Sequence, residues 1–133
     1  MMTCRYCGIL LADSEFEVCR IVKGKIYRRR KCKRCKHATQ MGRRGRLKVW
    51  LEEYKKTRRC ERCGFNDYRA LEFHHPEGAD KHFNVGDMVR LGMSITSIRR
   101  EIAKCEVLCA NCHNIEHYVP AEPSRSSYLL PGV

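Results

Sequence analysis

The chain has 133 residues, with 27 Lys+Arg against 15 Asp+Glu and a formal charge of +12. This length excludes a large core and leaves one compact domain or two small ones in need of reinforcement, while the charge points to a polyanion, nucleic acid above all. No apolar run approaches the ~18 residues of a membrane span, and neither a bare-faced basic amphipathic helix nor a lipidation signal is evident, so no membrane partner is expected.

Ten cysteines in so short a chain mean disulfides or metals, and spacing discriminates between them. Eight fall into four Cys-x-x-Cys pairs: Cys4/Cys7, Cys32/Cys35, Cys60/Cys63 and Cys109/Cys112. Paired knuckles of this form build tetrahedral four-thiolate sites. Two structural Zn²⁺ are therefore expected, in a reducing, cytoplasmic compartment. The first apolar run, Ile9 to Ala12, is too short for a secretory signal. Eight thiolates and two Zn²⁺ would lower the +12 to +8, which is still strongly basic. Cys19 and Cys105 lack knuckle partners and read as buried or free thiols.

In chain order, residues 1–40 read as a zinc ribbon, the apolar residues between its knuckles suggesting a short hairpin. Residues 41–59 form a basic connector: Gly42-Arg43-Arg44-Gly45-Arg46 reads as a flexible joint. Leu47, Trp50, Leu51 and Tyr54 then fall at i, i+3, i+4 and i+7, an amphipathic helix. In residues 60–118, the alternation through Leu71, Phe73 and His75 predicts a strand ending at Pro76, with a second strand over Phe83 to Val89. Ser94 is placed to cap a helix burying Ile95, Ile98 and Ile102 and reaching Lys104. A last helix starts at the Cys109 knuckle, carries His113 and His117, and stops before Pro120. Residues 119–133 read as a mobile tail. The intervals inside the two double-knuckle units, 24 and 45 residues, differ too much for simple duplication, and the longer one must house more than a zinc site.

That longer interval contains His74-His75, and Cys109-x-x-Cys112 runs directly into His113-x-x-x-His117. Residues four apart on a helix lie on one face, so the last two imidazoles can share a metal. Leu71-Glu72-Phe73-His74-His75-Pro76, the flanking knuckles and the His113/His117 pair together resemble the HNH endonuclease family. Less than half the chain carries the resemblance, but its parts occur in the family's order, and an N-terminal zinc ribbon is familiar in small phage members.

The resemblance implies an α+β protein: a small zinc-stabilised ββα-metal domain preceded by a zinc ribbon and a basic connecting helix. It implies His75 as general base and His74, His113 and His117 as ligands of one catalytic divalent ion. That ion would be Mg²⁺ or Mn²⁺, with Zn²⁺ or Ni²⁺ also suited to three histidines. The activity implied is hydrolysis of DNA, by nicking or cleavage, leaving 5′-phosphate and 3′-hydroxyl ends; a single active site per chain suggests nicking by the monomer, with double-strand cuts requiring two sites or a dimer. An imidazole, with an unperturbed pKa near ~6.5, can take a proton from water near pH 7. The family's middle asparagine is absent: Cys105 stands nearest its place, and Asn84, Asn111, Asn114 or a backbone bond are the candidate substitutes. Arg28, Arg29, Arg30, Lys31, Arg43 and Arg44 are expected to contact DNA phosphates, which positions a duplex without reading it. The competing expectation is a non-enzymatic zinc module that binds nucleic acid.

Overall fold

The structure, a computed structural model, describes residues 1–121. Strands β1 (Met2–Thr3) and β2 (Leu10–Leu11) pair antiparallel and fold the first knuckle back on itself. Within it, Cys4 N–H donates to the Ile9 carbonyl and Gly8 N–H to the Cys4 carbonyl, both at 2.9 Å. The turn needs Gly8 at φ +71°, a conformation that side chains oppose. A hairpin of β3 (Phe16–Val22) and β4 (Lys25–Cys32) follows. Phe16 lies opposite Cys32, and with Cys4 these are the buried residues of the unit's small core. So little apolar burial leaves folding of this unit dependent on its sulfur cluster.

Helix α1 runs unbroken over Lys33–Lys56, with Cys32 as its N-cap. The glycine-arginine segment read as a flexible joint is therefore helical, and the boundary expected at residue 40 falls inside the helix. Two glycines each cost a helix roughly 1 kcal/mol relative to alanine. Here the segment is carried by a capped N-terminus and by Leu47, Trp50, Leu51 and Tyr54, which pack against the main core.

Strand β5 (Leu71–His74) is followed by two inserted helices, α2 (Val85–Leu91) and α3 (Ile95–Ile102), before β6 (Glu106–Cys109) returns to pair with it. The register sets Leu71 opposite Cys109 and His74 opposite Glu106. The strand expected over Phe83 to Val89 is α2: Val85, Met88 and Val89 are buried on one face at helical spacing, and Gly92 ends the helix in the left-handed conformation. Ser94 caps α3 by accepting from Ser97 N–H. Ile98 and Ile102 are buried, whereas Ile95 is 39% exposed. Helix α4 (Ala110–Glu116) closes the described fold. Phe73 packs against both the helical core of α1, α2 and α3 and the core around the second knuckle pair. From residue 122 the tail expected over 119–133 lies outside the described residues.

The result is a small α+β fold with three two-stranded sheets and four α-helices among the described residues. No helix among them is long and apolar enough to cross a membrane. Continuity of α1 predicts that Gly45→Ala, whose added Cβ meets nothing within 4 Å, raises stability by about 0.5–1 kcal/mol. Denaturant unfolding measures this, and a flexible joint would show no gain.

Candidate metal centre

Two groups of four sulfurs come together: Cys4, Cys7, Cys32 and Cys35, and Cys60, Cys63, Cys109 and Cys112. Within each group the sulfur atoms lie within 4.8 Å of one another, and all ten cysteines are free of disulfides. Cys32 and Cys109 do double duty as helix N-caps, accepting from Cys35 N–H and Cys112 N–H through sulfur at 3.5 Å. The thiols of each group cannot all ionise side by side. Cys4 is lowered to about 6 by Cys32 N–H. At Cys60 burial pushes upward but is outweighed by the N–H groups of Cys109, Cys63 and Arg62, bringing it to about 6. Cys35 and Cys112 are pushed to about 12, chiefly by the neighbouring sulfurs of Cys32 and Cys109. A divalent cation removes that conflict, and four thiolates suit zinc. Both groups can bind it.

The third cluster is His74, His113 and His117, each offering one ring nitrogen within 4.8 Å of the others. His74 is at the end of β5 and 5% exposed. His113 follows Cys112 directly, so the sulfur cluster that fixes the start of α4 also aims the imidazoles. His113 Nε2 and His117 Nε2 are 3.1 Å apart. Two imidazole ligands at ~2.05 Å from one tetrahedral ion would lie about 3.3 Å apart, so the pair is spaced to share a metal. Glu72 bonds His113 Nδ1, which fixes the tautomer that leaves Nε2 as a donor of electrons. His74 is held below the ordinary imidazole range by burial and by His117 and His113. It therefore stays unprotonated at neutral pH, and proton competition at this ligand begins only below that range.

His75 turns the other way, towards α3. Its side chain is 8% exposed, and Nε2 is 2.8 Å from Oε1 of Glu101, itself 4% exposed. Nδ1 makes no hydrogen bond among the described residues, where no buried side-chain nitrogen or oxygen is left unpaired. Glu101 also accepts from His82 N–H at 3.1 Å and Lys104 Nζ at 2.9 Å, and Lys104 donates onward to the Asp80 carbonyl at 2.8 Å. Burial alone would raise the Glu101 carboxyl, but its bonds to Lys104, His75 and His82 outweigh that and lower it to about 2. An ionised Glu101 demands a proton on Nε2 and leaves the Nδ1 lone pair available.

The loop between β5 and α2 is thus held by Glu101 and Lys104. Cys105 Sγ touches the same Nε2 at 3.4 Å and is pushed to about 11 by burial and by Glu101. Since thiol and carboxylate meet one nitrogen of His75, no nucleophile–base–acid relay is formed, for which opposite ring nitrogens are needed. Asn84 bonds Asp87, and Asn111 and Asn114 ride on α4.

Sequence reasoning did not identify Glu72 or Glu101. The alternating pattern that predicts β5 puts Glu72 beside the helix histidines only if β5 and α4 are neighbours, while Glu101 lies 26 residues from His75, with no local signal linking them. Among the expected DNA contacts, Arg29, Arg30 and Lys31 line one surface cleft. Arg28 donates to the Phe16 carbonyl at 2.9 Å. Arg43 and Arg44 approach Gly92 at the turn between α2 and α3, and Arg43 lines a separate cleft with Arg46 and Met93. The chain matches no family model, no curated protein and no solved structure.

Two outcomes follow from the outer partners. Glu72→Gln should weaken metal binding at the histidine centre by about 10- to 100-fold while both zinc sites stay full, as read by metal competition and zinc content. Glu101→Ala, which strips His75 and Lys104 of a buried partner, should destabilise the protein by about 3 kcal/mol in denaturant titration, with no loss of zinc from the first unit.

Proposed function

We propose that this protein is a metal-dependent DNA endonuclease, with a site that resembles that of the HNH family, that nicks or cleaves the backbone by hydrolysis. The observation that carries this reading is the convergence of His74, His113 and His117 on one side of the β5 end with His75 poised on Glu101 on the other. The strong positive charge of the chain supports a phosphodiester substrate.

His74, His113 and His117 would hold one divalent ion, with Glu72 fixing the ring of His113. When bound, such an ion stabilises charge developing on the phosphate and on the departing oxygen. All-imidazole ligation favours Mn²⁺, Zn²⁺ or Ni²⁺ over oxygen-preferring Mg²⁺.

His75 accepts a proton at Nδ1 from the attacking water, whose oxygen bonds to phosphorus as the bond to the 3′ oxygen breaks. The 3′ oxygen takes a proton from solvent, leaving 5′-phosphate and 3′-hydroxyl ends. Glu101 is the positioning residue: it keeps Nε2 protonated and favours the imidazolium that forms.

Supercoiled plasmid incubated with Mn²⁺, Ni²⁺, Zn²⁺, Mg²⁺ or chelator tests the reading. Nicked circles are expected with at least one metal and not with chelator, and His75→Ala should slow nicking by about 10²- to 10⁴-fold. If none of the metals supports nicking, the chain stands as a zinc-dependent nucleic-acid-binding module; equal nicking by His75→Ala would overturn His75 as the base.

A further inference from the structure

The two zinc-binding units share one frame, despite their unequal spacing. Cys60 N–H donates to the Phe65 carbonyl and Gly64 N–H to the Cys60 carbonyl, at 2.7 and 2.9 Å, repeating the bonds around Cys4 and Gly8, and Gly64 has the same left-handed φ, +79°. A short 3₁₀ turn precedes β5 as one precedes β3. Leu71 lies opposite Cys109 as Phe16 lies opposite Cys32. Arg5 N–H reaches the Arg30 carbonyl as Glu61 N–H reaches that of Val107, each at 2.9 Å. The extra length of the second unit is the insertion carrying α2 and α3 between β5 and β6. The expectation that unequal intervals exclude a common plan is corrected accordingly.

Counting outward from the shared bonds matches Glu17 with Glu72, Cys19 with His74, Lys36 with His113 and Gln40 with His117. The side chains support the match: Glu17 pairs with Lys36 at 2.5 Å, as Glu72 pairs with His113. Two register shifts, between Phe16 and Val18 and between Val18 and Arg20, change what lies across from Cys19, which nevertheless lines the same cleft as Lys36. That cleft, of about 500 Å³, is also lined by Arg5, Arg29, Arg30 and Lys31. Tyr6, 67% exposed, forms part of the wall, with Lys31 Nζ 4.2 Å from its ring centre. Of the carboxylates, Glu17 sits among these cations, 3.8 Å from Arg29 as well as beside Lys36. Where the second unit gathers three imidazoles, the first lines its cleft with five cations, two of which, Arg29 and Lys36, pair with Glu17.

We propose that this cleft is a second, non-cleaving nucleic-acid site, which binds the phosphodiester backbone at the position that matches the histidine cluster of the other unit. Guanidinium forks pair with phosphate oxygens through two hydrogen bonds, and an exposed tyrosine beside them offers a face to a base or sugar. The proposal takes from the preceding reading only that the partner is nucleic acid; it does not depend on cleavage.

The test is binding of the full-length, zinc-loaded chain to a fluorescent 20-base-pair duplex of arbitrary sequence, by anisotropy, without added divalent metal and over a salt series. Arg5→Gln/Arg30→Gln/Lys31→Gln should bind at least about ten-fold more weakly at 0.1 M salt and lose about 2–3 from the slope of log affinity against log salt, as expected for removed phosphate contacts. A charge-matched Lys48→Gln/Lys81→Gln/Arg90→Gln variant should lose less than about three-fold. If the triple variant fails to retain two zinc ions, Arg30→Gln alone is read for a fall of about three-fold. Equal losses from the two triple variants, or unchanged binding by the cleft variant, would overturn the proposal. So would selective loss of binding to phosphatidylserine vesicles with duplex binding intact, which would make the cleft a membrane site. Plasmid nicking separates the two ideas: loss of binding in a chain that nicks with no metal would sink the nuclease reading and leave this site standing.

Discussion

Cys109 sits where three requirements meet. It ends β6, it caps α4 by accepting a backbone N–H through sulfur, and it contributes a sulfur to the cluster shared with Cys60, Cys63 and Cys112. Few apolar residues are buried beside it, chiefly Leu71, Val107 and Leu108. Hydrophobic burial of that size cannot by itself hold a strand and a short helix at a fixed angle. A metal linking the two knuckles can, because its bonds tie the turn at Cys60 to the first turn of α4. The direction of His113 and His117 therefore depends on sulfur atoms that need take no part in chemistry. Cys32 does the same for α1, so the longest helix is also anchored through a sulfur at its start.

The inserted helices perform a different task. They supply most of the conventional core, with Val85, Met88, Val89, Ile98 and Ile102 closing against Leu47 of α1. One buried polar group, Glu101, is carried on that apolar surface, and the loop after β5 is fastened to it through His75, His82 and Lys104. A buried carboxylate is costly unless its oxygens are satisfied; here three donors satisfy it. The same arrangement sets the tautomer of His75. Packing in this half of the fold is thus connected to chemistry through a single side chain, whereas the histidine cluster is connected to it through the backbone of α4.

What could be read from the sequence divides along the distance over which each interaction acts. The knuckles and the His113/His117 pair were legible because their ligand geometry is fixed within three or four residues. The Leu71-to-His74 strand was legible from alternation, and Ser94 from its capping position. Strand β6 was not, since four residues between two helices carry too little periodicity to announce a strand. Its pairing with β5 arises across the whole insertion. Val85, Met88 and Val89 fit a helix better than the strand expected there, but Gly86-Asp87 also resembles a turn, and tertiary burial decided between them. Gly42 and Gly45 signalled a break that the flanking helix overrode. Glu101 had no signal at all, because its role is defined only by partners brought to it by folding.

The two units differ in the charges set around their matching positions. Around His74 the second unit presents Glu72, Glu106 and Glu116, with Arg62 3.1 Å from Glu106 and 3.0 Å from Glu116. Imidazoles set among carboxylates are suited to hold a divalent ion. At matching positions along the chain the first unit has Arg5 where the second has Glu61 and Arg29 where it has Glu106. Cations clustered that closely would oppose a divalent metal, just as carboxylates around the imidazoles would oppose a phosphate held without one. A single small cleft cannot satisfy both demands at once. The 24-residue helix that begins at the first sulfur cluster and packs on the core of the second unit ties the two units together.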